Sequence, residues 1–289
     1  MDRRAFLRRS AVLLAAAGSP GLLAACGRGA AGGIPEGPAQ LNATITTWEF
    51  LVGDPRPVPI LVRTLENVQV EDTELQVYVR TVDGEVLDGP LPTTYEEVPG
   101  TGLGLHVAEF AVEQPGQIEV VVVDGDQYGA TVVNAVAPEQ SEIPVPGKQA
   151  LAVPTPTVDR PLNFEKLCTQ DPACEMHDIS LDQALEDGRP VMLMFATPEF
   201  CQTATCGPAV GTMDEIRTSG DWPEDLAWIH VEVYSEVSGE LKTGKPIRDW
   251  GLPSEPWLFS IDGSGDIARR LDGPMIPRMI EEMATDLTA

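Results

Sequence analysis

Apolar and polar positions follow one rhythm in the first half of the chain and another in the second. Between Leu41 and Val136, short β-prone runs succeed one another: Asn42–Phe50, Val58–Leu65, Glu74–Thr81, Leu105–Val112, Gln117–Val123 and Ala130–Val136. The stretch Glu74 to Val79 alternates polar and apolar at its start, as a half-buried strand does. Gln114-Pro115-Gly116 and Asp124-Gly125 supply turn chemistry between runs. No amphipathic helix interrupts the series, so residues 41–137 are expected to form an all-β sandwich.

The pattern breaks after Ala137. Pro138, Pro144, Pro146, Pro154, Pro156 and Pro161 follow within a short span. Proline lacks the amide donor and fixes φ, so 138–162 is expected to be a semi-extended linker. From residue 163 to 289 helical and strand patterns alternate, which predicts an α/β domain. Ser180-Leu-Asp-Gln183 has the form of a capping box opening a helix through Glu186, with Gly188 at its end. Val191–Ala196 is a continuous apolar run and is expected to be a strand buried on both faces. A helix follows over 208–218, a strand over Ala227–Tyr234 and a weak helix over Leu241–Trp250. Trp257–Asp262 and Ile267–Leu271 read as a hairpin about Gly263-Ser-Gly265. Met275–Leu287 closes the chain as a helix, with Ile276, Met279, Ile280 and Met283 on one stripe.

The first 25 residues have a different character. Asp2-Arg3-Arg4-Ala5-Phe6-Leu7-Arg8 matches the twin-arginine export pattern, and an Ala/Leu-rich stretch from Ala11 to Leu23 follows. It is too short, and too interrupted by Gly18, Ser19 and Pro20, to span a bilayer. Leu23-Ala24-Ala25-Cys26 resembles a bacterial lipobox. Residues 1–25 are therefore expected to be a lipoprotein-type signal peptide, Cys26 the lipidated residue, and 26–40 a flexible tether rich in Gly, Ala and Pro. The expected location is extracytoplasmic, anchored by lipid to a bacterial cell membrane.

Charge narrows the partners. The chain carries 19 basic and 45 acidic residues, a formal net charge of -26. Without the leader, 15 basic and 44 acidic residues remain, about -29. Such a surface argues against nucleic acid and against direct adhesion to anionic lipid.

With Cys26 assigned to lipid, Cys168, Cys174, Cys201 and Cys206 remain. An even number at close spacing outside the cytosol favours disulfides. Three pairings exist; the simplest joins Cys168 to Cys174, as a structural loop, and Cys201 to Cys206. A second redox pair at Cys168/Cys174, feeding the first, stays open.

The order helix, strand, Cys pair, helix, strand, helix, strand, strand, helix resembles a thioredoxin fold over residues 177–289. In that resemblance Trp250-Gly251-Leu252-Pro253-Ser254-Glu255-Pro256-Trp257 matches the segment in which a turn precedes a cis-proline, and Pro256 takes the proline's position. The segments Phe195–Pro208, Ile229–Glu232 and Pro253–Leu258 look like those of bacterial thioredoxin-domain lipoproteins with an immunoglobulin-like N-terminal domain. Glu49-Phe-Leu-Val-Gly53 with Arg56 fits the same group. The resemblance implies an immunoglobulin-like sandwich followed by a thioredoxin-like domain. It also implies a thiol-disulfide oxidoreductase with Cys201, Cys206 and Pro256 as catalytic residues. Its partners would be protein thiol or disulfide clients and a membrane electron donor or acceptor; no cofactor is implied.

The spacing departs from that family. Thioredoxins place two residues between the cysteines; four stand here. On a helix, five steps of about 100° would set the sulfurs about 140° apart, so Cys201–Thr205 is expected to loop before the helix begins. An alternative is a non-catalytic binding or structural module with a permanent Cys201–Cys206 disulfide. A further one is a copper site of the SCO type formed by Cys201, Cys206 and His230, although the three-residue Cys spacing of those proteins is absent. By default His106 is a strand-surface residue, His177 a cap-adjacent loop residue and His230 a hydrogen-bonded core residue. Glu199 and Glu255 flank the site, and acidic neighbours raise a thiol pKa.

Overall fold

The computed structural model describes residues 33–289 apart from 72, 202–203 and 238–239. The expected signal segment, Cys26 and the tether up to residue 32 lie outside the described residues. The described chain is mostly β-sheet with few helices.

Nine strands come first: β1 (Leu41–Ile45), β2 (Phe50–Leu51), β3 (Gly53–Thr64), β4 (Gln76–Thr81), β5 (Val86–Pro92), β6 (Thr94–Val98), β7 (Leu103–Val112), β8 (Gly116–Asp124) and β9 (Gln127–Val136). One sheet has the order β1-β3-β7-β6 and the other β2-β9-β8-β4-β5. Period-two alternation decides what lies between them. Val58, Ile60, Val62, Phe110 and Val112 of the first sheet pack with Val77, Val79, Ile118, Val120 and Val122 of the second in a single core. The intervening Tyr78, Val121 and Val123 form a separate cluster on the opposite face of the second sheet. The expected strand Asn42–Phe50 is broken over residues 46–49 into β1 and β2. Strands β5 and β6 have no counterpart in the apolar pattern. Edge strand β5 has no buried residue and carries Pro90 and Pro92, and β6 is mostly polar, so neither leaves an apolar periodicity. His106 is not a surface residue: it is buried, its Nε2 lies 3.0 Å from the Val70 carbonyl, and its ring packs on Tyr95.

The remaining elements are α1 (Leu181–Glu186), β10 (Val191–Phe195), α2 (Cys206–Ser219), β11 (Ala227–Val231), β12 (Tyr234–Val237), β13 (Glu240–Thr243), α3 (Lys245–Trp250), β14 (Trp257–Ile261), β15 (Ile267–Asp272) and α4 (Pro277–Asp286). The sheet order is β11-β10-β14-β15, with β10 parallel to β11 and antiparallel to β14. Alternation along β10 builds two layers at once. Val191, Leu193 and Phe195 join Leu181 and Ala184 of α1 and Ile247 and Trp250 of α3. Met192, Met194 and Ala196 join Ala209, Val210 and Met213 of α2 and Ile280 and Met283 of α4. Burying one such side chain contributes roughly 1.5–3 kcal/mol, so β10 is the keel of this half.

Three local expectations are corrected. Residues 241–243 of the predicted weak helix are strand β13, and the helix begins only at Lys245, where Pro246 suits the first turn and Gly251 ends it in a left-handed conformation. The capping box at Ser180 does not form. Ser180 Oγ accepts from the Thr155 amide at 2.8 Å, and the Leu181 amide donates instead to Thr155 Oγ1 at 2.9 Å. The cap is therefore supplied by the proline-rich segment. That segment is extended but not free. The Ala150 amide donates to the Gly265 carbonyl and the Ile267 amide to the Lys148 carbonyl, while Trp250 Nε1 donates to Leu151 O at 3.2 Å.

The two sheet systems touch through Val98, Leu105 and Val107 against Ile276 and Met279. Arg278 pairs with Glu96 at 2.6 Å, Arg270 pairs with Glu49, and the Trp48 amide donates to Asp272. Burial pushes the Asp272 carboxyl up to about 6. Among the described residues no helix is long and apolar enough to cross a membrane.

Candidate functional site

The C-terminal end of β10 is where chemistry-bearing side chains gather, because the chain leaves the sheet there and three segments converge on it. Two clusters form, one reached by the Ala196 carbonyl through His230 and one by the Thr197 amide through Glu255.

The first contains Cys201, Cys206 and Glu255. Cys201 and Cys206 form a disulfide with Cα atoms 6.0 Å apart. Cys206 is the first residue of α2 and fully buried, whereas Cys201 is partly exposed in the preceding loop. Ala204 has a φ of 57°, a left-handed turn that keeps this segment out of the helix and lets five residue steps bring the sulfurs together. The Glu255–Pro256 peptide is cis, and Pro256 is buried at the start of β14. Glu255, just before it, holds a carboxylate oxygen within 4.8 Å of both sulfurs. The Thr197 amide donates to Glu255 Oε2 at 2.7 Å. Burial, helped by the nearby Glu232 charge, nonetheless pushes the Glu255 carboxyl up to about 7. Glu255 thus sets a carboxyl with a pKa raised toward neutrality beside the disulfide. Glu199 is an ordinary solvated carboxylate, paired with Lys166 at 3.0 Å.

The second cluster contains Cys168, Cys174, His177 and His230, whose sulfur and ring-nitrogen atoms all lie within 4.8 Å of one another. The expected Cys168–Cys174 disulfide is not formed; both cysteines are free. The physical reason is the setting. Cys174 Sγ lies 3.4 Å from His177 Nε2 and 3.3 Å from His230 Nδ1, and the Cys174 amide donates to Cys168 Sγ at 3.4 Å. Polar partners thus occupy the sulfurs. The hydrogen bond from Cys174 lowers the Cys168 thiol against its burial, and His177 and His230 add to this. The same bond, with burial, raises Cys174. Burial opposes charge on His230, but Cys168 and Glu232 outweigh it and its pKa is raised.

The metal alternative of Cys201, Cys206 and His230 does not assemble. His230 sits mid-strand in β11, its Nε2–H donates to the Ala196 carbonyl at 2.9 Å, and its Nδ1 faces Cys174. His177, expected as a loop residue, is buried with its ring 5.3 Å from that of His230. Glu232 and Glu255 were not legible as distinct from solvated acids. Glu232 is 1% exposed and accepts from the Thr169 amide and hydroxyl at 2.7 and 3.0 Å. Thr169 Oγ1 in turn accepts from the Glu199 amide at 3.0 Å, so one threonine joins Glu232 to the backbone just before Cys201. The signal that could have found the second cluster is the spacing Cys-x5-Cys-x2-His over 168–177.

No protein-family model matches the chain, and no curated protein matches it. Among solved structures it is similar to the Lin-41 filamin domain, at 12% identity over 35% of this chain and 98% of that one, with a TM-score of 0.23. It is similar to a thiol:disulfide interchange protein of the thioredoxin family from Chlorobium tepidum TLS, at 14% identity over 48% of this chain and 100% of that one, with a TM-score of 0.28. A third likeness is to the ZirS C-terminal domain, at 12% identity over 45% and 87% of the two chains, with a TM-score of 0.22.

Proposed function

We propose that this chain is a thiol-disulfide oxidoreductase working through Cys201 and Cys206. Its catalytic domain is thioredoxin-like and its N-terminal domain an immunoglobulin-like sandwich. Cys26 carries a lipid anchor that holds the protein outside the cytoplasm. The observation that carries the reading is the placement of Glu255. A carboxyl with a pKa of about 7 lies within 4.8 Å of both sulfurs, directly before cis-Pro256.

The roles follow from exposure. Cys201, the accessible sulfur, gives its proton to water and attacks a client disulfide as thiolate; the new sulfur–sulfur bond forms as the client's own breaks, and one client sulfur leaves as thiolate and takes a proton from water. Buried Cys206 then gives its proton to the Glu255 carboxylate and attacks Cys201 Sγ. The second client sulfur departs and takes the proton from Glu255, so the client has gained two electrons and two protons and the Cys201–Cys206 disulfide is restored. A dithiol donor at the membrane must reduce it again. Run backwards, the same steps oxidise a client dithiol. The reading is tested by insulin reduction with dithiothreitol as donor. Wild type accelerates it, and Cys201→Ser brings the rate down to the uncatalysed background. Equal rates for both proteins would leave the disulfide as a structural staple at the start of α2.

A further inference from the structure

We propose that Cys168, Cys174, His177 and His230 form a tetrahedral zinc site, separate from the Cys201–Cys206 disulfide. The geometry carries it. Zinc binds sulfur at about 2.3 Å and imidazole nitrogen at about 2.0–2.1 Å, so a tetrahedral site has sulfur–nitrogen edges of about 3.5 Å. Cys174 Sγ lies 3.4 Å from His177 Nε2 and 3.3 Å from His230 Nδ1, and all four donor atoms fall within 4.8 Å of one another. Four donors of these types lie close enough to share one ion, and four protein ligands make a closed site with no position left for substrate.

The surroundings are those of a ligand set. The ring nitrogen of His230 that would not bind donates to the Ala196 carbonyl at 2.9 Å. Such a bond fixes the tautomer and aims Nδ1 at the ion. The Cys174 amide points at Cys168 Sγ at 3.4 Å, a donor that stabilises a thiolate. His177 turns Nε2 inward, while its buried Nδ1 has no hydrogen-bond partner among the described residues. Charge chooses the metal class. Two thiolates and two neutral imidazoles around a divalent ion make a neutral complex, which suits a cluster packed against Met176, Met192 and Met194. Soft sulfur with imidazole selects zinc over magnesium or calcium.

The ion would tie the 168–177 loop to β11. It would hold Thr169, which links Glu232 to the loop before Cys201. The site is therefore a structural clamp beside the redox disulfide.

The test uses the full chain, purified with a reductant that does not bind metal and stripped with chelator. Zinc is titrated in competition with a chromophoric chelator, and cobalt(II) is bound separately as a spectroscopic probe. One equivalent of zinc is expected, and cobalt(II) should show the intense visible bands of tetrahedral thiolate ligation. Losing an outer-shell partner costs about 10–100-fold in metal affinity, so Cys174→Ser and His230→Gln should each lose at least about 100-fold. A Cys201→Ser/Cys206→Ser protein should bind zinc as wild type does, whether or not the redox reading holds. Weak octahedral cobalt spectra in wild type, or zinc affinity unchanged in Cys174→Ser, would overturn the proposal. The cobalt spectrum does not depend on any variant folding.

Discussion

Two cysteine pairs lie at the end of the same strand, and they have opposite fates. Cys201 and Cys206 meet as a disulfide next to a carboxyl that titrates near neutrality. Cys168 and Cys174, at a nearly equal sequence separation, stay free among two histidines. Spacing therefore does not decide pairing; the neighbours do. A left-handed turn at Ala204 and a helix start at Cys206 bring one pair together. Imidazole nitrogens at 3.3 and 3.4 Å from Cys174 Sγ give the other pair something else to bind.

The sharpest way to break this comparison is alkylation with peptide mapping under native, non-reducing conditions. Cys168, half-buried, should be modified, while Cys201 and Cys206 should be protected by their bond. Added zinc should then protect Cys168 as well. After reduction Cys201 should label well before fully buried Cys206. A Cys168–Cys174 linked peptide in the untreated protein would erase the distinction between the pairs.

The next effect concerns Glu255. In the proposed mechanism it is the general base for Cys206 and must be ionised, so client reduction should rise as pH passes through about 7. General acid–base groups contribute roughly 10²–10⁴-fold. Glu255→Gln should slow resolution of the mixed disulfide by about 10²-fold and remove that inflection, read by stopped-flow with a model disulfide. Stability moves the other way. The folded-state pKa lies above the reference value of 4.5, so this group's contribution is complete below about 4.5 and is lost as pH rises through about 7. Glu255→Gln should therefore gain thermal stability relative to wild type at pH 8 and not at pH 4. The smallest effect belongs to Glu199. Its ion pair with Lys166 is solvent-exposed, so Glu199→Gln should change stability by less than about 1 kcal/mol in denaturant unfolding and leave turnover unchanged.

The core strands were legible because their apolar alternation is one-dimensional information. Val120 and Val122 face one way and Val121 and Val123 the other, as the sequence pattern demands. Polar β6 and mostly exposed β5 left no such trace. The Cys201–Cys206 segment announced itself by position after an apolar strand. The second cluster did not, because His230 lies 56 residues from Cys174 and only the docking of the 174–177 segment on β11, where the His230 amide donates to the Met176 carbonyl at 3.0 Å, brings them together. Burial of Glu232 and Glu255 is likewise a property of packing. The role of Thr155 as the cap of α1 was hidden for the same reason, since the sequence offers Ser180 at the local position and the structure uses a residue 25 positions earlier.

The central claim is that Cys201–Cys206 is a working redox pair, and its reduction potential tests that most directly. Equilibration of the full chain against glutathione and dithiothreitol buffers, followed by quenching and mass analysis of the Cys201–Cys206 peptide, gives the value. The account predicts a potential between about -120 and -270 mV, the range of disulfide oxidoreductases. A potential below about -300 mV, typical of structural disulfides, would contradict it.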